Sequence, residues 1–272
     1  MPSIVYRSLA TGLLATGLSL GLGCTAQAAA LPNVANLNFL NFTGTTPKDT
    51  FTKVKPTGWT GGSGLIFVDK PGTADDGSYL SVYGPFPNPP VIGNFVEADG
   101  NPDYAGSFSQ SISGLTKGAT YTLSFYQAGG QQTTYATGIP TTEQWIVSLG
   151  TAGLTTTPGG PVDPLYGKTD KYSSTDPTAS IVASNLMTTP SAGVTPWQFV
   201  SVTLIADATT DILSFLAWGD KGSTVNLPPI VFLAGVNALP VPEPATLSVI
   251  GVGLVGLGAA IRRRRAARPT SV

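Results

Sequence analysis

The chain has 272 residues, room for one ordinary domain or two, and it contains no histidine and a single cysteine. Its formal charge of −1 hides an asymmetry: five of the fourteen basic residues are arginines within the last eleven positions. Between residues 31 and 239, eight lysines against fourteen Asp and Glu leave −6. That balance excludes the clustered cations that nucleic-acid binding needs. Without His or a second Cys, neither a Ser-His-Asp or Cys-His nucleophile nor an ordinary structural zinc site can be assembled.

The N-terminus reads as a secretory signal peptide over residues 1–30. Arg7 supplies the positive start, SLATGLLATGLSLGLG the short apolar stretch, and CTAQAAA the small-residue site. Cleavage after Ala28 or after Ala30 satisfies the same requirement. Gly21 stands three residues before Cys24, where a lipobox usually has leucine, so Cys24 reads as part of the signal. The exported domain then carries no internal disulfide.

Residues 31–239 are rich in Gly, Pro, Ser, Thr and aromatic residues and poor in Lys, Glu and Arg, a composition that suits strands and turns. Alternation predicts strands at Leu37–Phe42, Leu65–Asp69, Tyr79–Tyr83, Ser107–Ile112, YTLSFY (121–126), WIVSL (145–149), QFVSVTL (198–204), Asp211–Trp218 and Ile230–Val236. About nine strands separated by turn residues, with no convincing helical period, predict an all-β fold, an antiparallel sandwich. Residues 151–195 read as a long loop-like insertion, with one further strand at SIVASNLM.

Glu97, Asp99, Asn101 and Asp103 place an oxygen ligand at every second residue, which suggests calcium, although the spacing is not that of an EF-hand loop. A solvated acidic loop is the simpler reading of the same run. Asp75, Asp76, Glu97, Asp99, Asp103 and Glu143 are the carboxylates from which a glycosidase pair would have to come. Sugar recognition needs an aromatic platform beside hydrogen-bonding side chains. Trp59 in GWTGG and Tyr83 beside GPFPNPP offer the rings, and Asp75, Asp76 and Gln110 the polar partners. Trp145 and Trp218 read as core.

The chain ends in a tail, residues 240–272. Ala245 to Ile261 is uncharged and mostly apolar, enough for ~25 Å of helix against a hydrocarbon core of ~30 Å. Arg262, Arg263, Arg264 and Arg265 then stop transfer and stay cytoplasmic, which leaves the preceding domain outside. Pro242-Glu243-Pro244 precedes the helix, and its two prolines keep the segment extended and open to a protease cleft.

Pro242-Glu243-Pro244, the Gly-rich apolar stretch and the arginines, in that order, resemble the PEP-CTERM sorting signal of Gram-negative bacteria. The resemblance implies an exosortase-type sorting protease as partner, transient residence in the inner membrane, and delivery to the cell surface or outside it. GWTGG at 58–62, residues 105–130, the Trp145 strand and LPPIVFLAGVNAL resemble a galactose-binding-like jelly roll. That likeness implies a β-sandwich related to carbohydrate-binding modules. Ala234-Gly235 stands where that family often has an aspartate, so the structural calcium often found there is not expected and no other cofactor is implied. The leading expectation is a non-enzymatic surface or matrix protein. The alternatives are an exopolysaccharide-binding module and, third, a carboxylate-dependent glycosidase.

Overall fold

The longest alternating runs form the longest strands, because period-two burial specifies both a strand and its register. The computed structural model describes residues 28–73, 80–135, 138–157, 171–219 and 228–240. In chain order these form β1 (Ala29–Ala30), β2 (Lys48–Thr50), one helical turn α1 (Phe51–Val54), β3 (Thr60–Gly61), β4 (Ile66–Asp69), β5 (Phe95–Asp99) and β6 (Ser107–Ser113). There follow β7 (Thr120–Gln131), β8 (Thr141–Gly150), β9 (Leu154–Thr157), β10 (Lys171–Ser174), β11 (Ser180–Ala183) and β12 (Met187–Thr189). The last three are β13 (Gln198–Ile205), β14 (Thr210–Gly219) and β15 (Pro229–Ala234).

Two sheets stack as a jelly-roll-type sandwich. The first runs β13-β7-β15-β5-β4-β2, and β1 lies parallel beside β7. The second runs β3-β6-β14-β8, with both β11 and β12 on the far edge of β8. Every strand pairing among the described residues other than β1–β7 is antiparallel. Leu123 and Phe125 of β7, Val200 and Val202 of β13, Trp145 and Val147 of β8, and Leu213 and Phe215 of β14 point into the inter-sheet core. Phe108 and Phe215, opposite each other in register, stack at 4.9 Å with nearly parallel rings. Trp145 meets Phe108 edge-on at 5.8 Å and donates its indole N–H to Phe232 O at 3.0 Å.

The structure revises the sequence reading in four places. Leu37–Phe42 is a turn: Asn36 and Phe39 have positive φ, and the Asn36 amide both donates to Asn41 O (2.7 Å) and accepts from Asn41 N (3.0 Å). The 80–83 part of the Tyr79–Tyr83 stretch makes a single bridge, Val82 to Gln132, before the proline-rich run that follows. Residues 95–99, read as part of an acidic loop, form β5 in the first sheet. The insertion 151–195 is largely woven in: β9 and β10 pair as a hairpin, and β11 and β12 extend the second sheet.

Candidate functional site

Trp59 and Gln110 come together, but around a backbone. The Trp59 ring packs on Phe39, Phe108 and Phe215 at 5.6, 5.1 and 6.1 Å and is only 6% exposed. Its Nε1 donates to Ala35 O at 3.1 Å. Gln110 reaches the same residue, accepting from Ala35 N at 2.7 Å and donating to Ala35 O at 3.2 Å. The pair therefore clamps the chain at residue 35, and Trp59 presents no ring face to a sugar. Its expected role as a platform is corrected here. The glycines of GWTGG explain the burial, because Gly61 packs on the Phe51 ring and Gly62 on Ser107.

Tyr83 is half-buried on a different side of the molecule, in the segment over the outer face of the first sheet, and its N–H donates to Gln131 O at 3.1 Å. Asp75 and Asp76, its expected polar partners, lie outside the described residues, as do Pro242, Glu243, Pro244 and Arg262 to Arg265. No helix among the described residues is long and apolar enough to cross a membrane, and the expected membrane segment 245–261 is not among them.

The acidic run is a strand end and a turn. Glu97 and Asp99 alternate with Val96 and Ala98 on β5, so they share the outer face of the first sheet, where Glu97 lies opposite Phe67 and Phe232. Both are buried, as is Asn101, while Asp103 is exposed. Asp99 accepts from Asn101 N at 2.7 Å, and Asn101 Oδ1 from Asp103 N at 3.1 Å. Burial pushes the Asp99 carboxyl up to about 7, against the lowering effect of the Asn101 N–H. Asp99 Oδ1 and Asn101 Oδ1 are thus engaged by backbone amides along the chain. Among the described residues no three His, Cys, Asp or Glu side chains gather as a metal site. The reading of the whole run as a solvated loop is corrected, since Glu97, Asp99 and Asn101 are buried.

Glu143 belongs to another place altogether. It lies on the inner side of β8, buried, accepting from the Thr189 hydroxyl close to Gly129 of β7. Around it, Ser184 Oγ donates to Gln127 Oε1 (2.6 Å), Gln127 Nε2 to Asn185 O (2.8 Å) and Gly129 N to Thr195 Oγ1 (2.7 Å). This polar network joins residues 184–195 to the end of the sandwich. Glu143 lies between the sheets, whereas Glu97 and Asp99 lie on the outer face of the first, so Glu143 does not face either of them across a cleft, and all three are buried.

The outer face of the second sheet, which sequence reading passed over, is covered over β8 and β14, where Ile146, Ser148, Ser214, Leu216 and Trp218 are buried, and is open at β6, where Ser111 and Ser113 are exposed. Ser107, Ser109, Ser111 and Ser113 alternate with the core residues Phe108 and Ile112 on β6, and Thr60 pairs with Ser109. At the other end of this face, half-exposed Tyr172 of β10 meets Trp218 of β14 edge-on at 5.2 Å. Asp176 fixes the hairpin's base: its carboxylate accepts from the N–H and hydroxyl of both Thr151 and Thr178, at 2.7 to 2.9 Å. The Thr178 hydroxyl and these amides hold its pKa well below the usual carboxylate range. The signal for the serine face was present in the sequence as SFSQSIS. Tyr172 was hidden in what read as a loop.

No curated protein matches the chain. Among solved structures, similarities reach the enzymatically active domain of a bacteriophage CBA120 tailspike protein (12% identity, 66% of this chain, 19% of that one, TM-score 0.32). The chain thus spans about a fifth of that protein. Others are TmCBM61 in complex with β-1,4-galactotriose (11%, 73% and 95%, 0.31) and a family 11 carbohydrate-binding module from Clostridium thermocellum (12%, 70% and 92%, 0.29). At these scores the likenesses carry no functional weight. At the other end of the chain the match is specific: residues 240–265 are a PEP-CTERM protein-sorting motif, which marks an exported protein sorted to the cell surface.

Proposed function

We propose that the chain is a non-enzymatic envelope or matrix protein whose β-sandwich is delivered by its tail. The observation that carries this reading is the sorting motif at 240–265, with Pro-Glu-Pro, apolar stretch and arginines in order. In this reading the signal peptide starts export, residues 245–261 hold the chain in the inner membrane, and Arg262–Arg265 remain cytoplasmic. An exosortase-type protease then cuts near Pro242-Glu243-Pro244 and frees the domain toward the surface. Protease added to intact spheroplasts tests the topology. Residues 31–239 are expected to be accessible and the arginines protected; the reverse pattern would overturn it.

A second reading, recognition of the host's exopolysaccharide, is favoured by the outer face of the second sheet. The exposed hydroxyls of Ser111 and Ser113 and the Tyr172 ring offer polar and apolar contacts of the kind a pyranose presents. A polysaccharide array tests it. Saturable binding lost in Tyr172→Ala supports recognition, and an array with no signal leaves the matrix role alone. Glycosidase activity is the third reading, and the burial of Glu97, Asp99 and Glu143 does not favour it.

A further inference from the structure

Charge is laid unevenly over the sandwich. Residues 28–47, 80–96, 187–206 and 228–240 contain no Asp, Glu, Lys or Arg. The fold gathers parts of all four on one side of the first sheet. Phe86 and Val91 pack over Phe67, Phe95 and Phe232, and Val194 and Trp197 join the same cluster. Residues 238–239 cross the outer face of β7, where Ser124 Oγ donates to Ala238 O at 2.6 Å and Tyr126 OH to Leu239 O at 3.2 Å.

Three loops form a continuous rim where the chain leaves this face. Val236 N donates to Leu37 O at 2.8 Å, Asn94 N to Asn38 O at 3.0 Å, and Asn38 Nδ2 to Ile92 O at 3.1 Å. Large aliphatic side chains stand out from this rim: Leu37 is 38% exposed, Leu40 48%, Ile92 89% and Leu239 83%. An uncharged zone with several exposed aliphatics marks an interaction surface. Exposed Lys53 and Lys55 lie beside it, since Thr43 N donates to Lys55 O and Thr57 N to Asn41 O. Only five residues lie between Leu239 and Ala245, where the apolar stretch of the tail begins, so an extended chain spans at most about 20 Å.

We propose that this rim is the membrane-facing surface of the sorting intermediate, resting on the periplasmic leaflet until the tail is cut. The inference depends on the reading of 245–261 as a membrane segment. The short tether brings the rim to the lipid surface, the aliphatic side chains enter the headgroup region, and the absence of acids avoids repulsion from anionic lipid. Lys55 can meet lipid phosphates at its border, beside Lys53, which is paired with Asp49 at 3.1 Å. Contact of this kind holds Pro242-Glu243-Pro244 at the bilayer surface, where a membrane protease can reach it.

The test uses the full chain, with Cys24→Ser, reconstituted into phosphatidylethanolamine–phosphatidylglycerol vesicles. An environment-sensitive fluorophore is attached at Ile92→Cys or, for reference, at Ser111→Cys on the exposed face of the other sheet. Headgroup-nitroxide lipid is expected to quench the Ile92 label severalfold more than the Ser111 label. Leu40→Glu is expected to reduce that difference while the protein still floats with the vesicles. Equal quenching at both positions in floating protein overturns the inference and leaves the tail reading intact. Self-quenching at Ile92 that rises with protein density, without lipid quenching, assigns the rim to a second copy and also overturns it. Protein that does not float at all overturns the tail reading together with this one.

Discussion

The two outer faces of the sandwich differ in what lies on them. On the first sheet, Phe67, Phe95, Phe232, Ile230 and Ala234 face outward and are sealed by residues 80–94 and Trp197, making a second apolar core. On the second sheet, β6 presents alternating serines, and only Ala105, Ile146, Leu154, Leu216 and Trp218 form a small apolar cluster beneath the β9–β10 hairpin. The contrast separates two tasks. One face is sealed along its length and carries the chain's exit toward its tail, and the other is covered only in part and exposes Ser111 and Ser113 at its β6 end.

The comparison breaks most readily at the sealed face. Phe232→Ala is expected to cost ~3–5 kcal/mol in urea unfolding, as much as Phe108→Ala in the inter-sheet core, because each empties a filled aromatic site. A cost near that of a surface change would mean the cover is not a core. Asp99, buried on the same outer face, gives a pH signature of a few kcal/mol. Its folded pKa of about 7 lies above its ordinary 3.8, so the folded state binds the proton more tightly. Stability is full below pH ~4, falls as pH rises through 7, and stays low above it. Asp99→Asn keeps an acceptor for Asn101 N–H and is expected to flatten this dependence in unfolding curves from pH 4 to pH 8.

Smaller effects sharpen the contrast. Trp197→Phe removes the indole N–H donated to Pro87 O at 2.7 Å and is expected to cost ~1 kcal/mol, with faster proteolytic nicking within 80–94. Ser111→Ala on the open face is expected to change stability by less than ~0.5 kcal/mol. Any sizeable loss there would mean that the open face, too, is structural.

The parts legible in the sequence were those where one side of a strand differs from the other. Leu123 and Phe125 alternate with Thr122 and Ser124, and Val200 and Val202 with Ser201, so β7 and β13 were plain. β5 was not, because all five of its residues are buried: Val96 and Ala98 face the inter-sheet core and Glu97 and Asp99 the covered face. A strand packed on both sides loses its alternation, and two acids then read as a loop. Trp59 misled for a related reason. Nothing in GWTGG shows that its glycines allow close approach to Phe51 and Ser107. The hairpin in 151–195 lacked any signal beyond short Thr- and Ser-rich runs, since its stability comes from Asp176 and from packing on Trp218. The sorting motif at 240–265 was legible because its information is compositional and needs no tertiary partner.

Intact-mass measurement of the protein recovered from the surface fraction of its own host tests the central claim most directly. A product that has lost the signal peptide and ends close to Pro242-Glu243-Pro244, without the apolar stretch and arginines, is the expected result. A surface product that retains residues through Val272 would contradict delivery by tail cleavage.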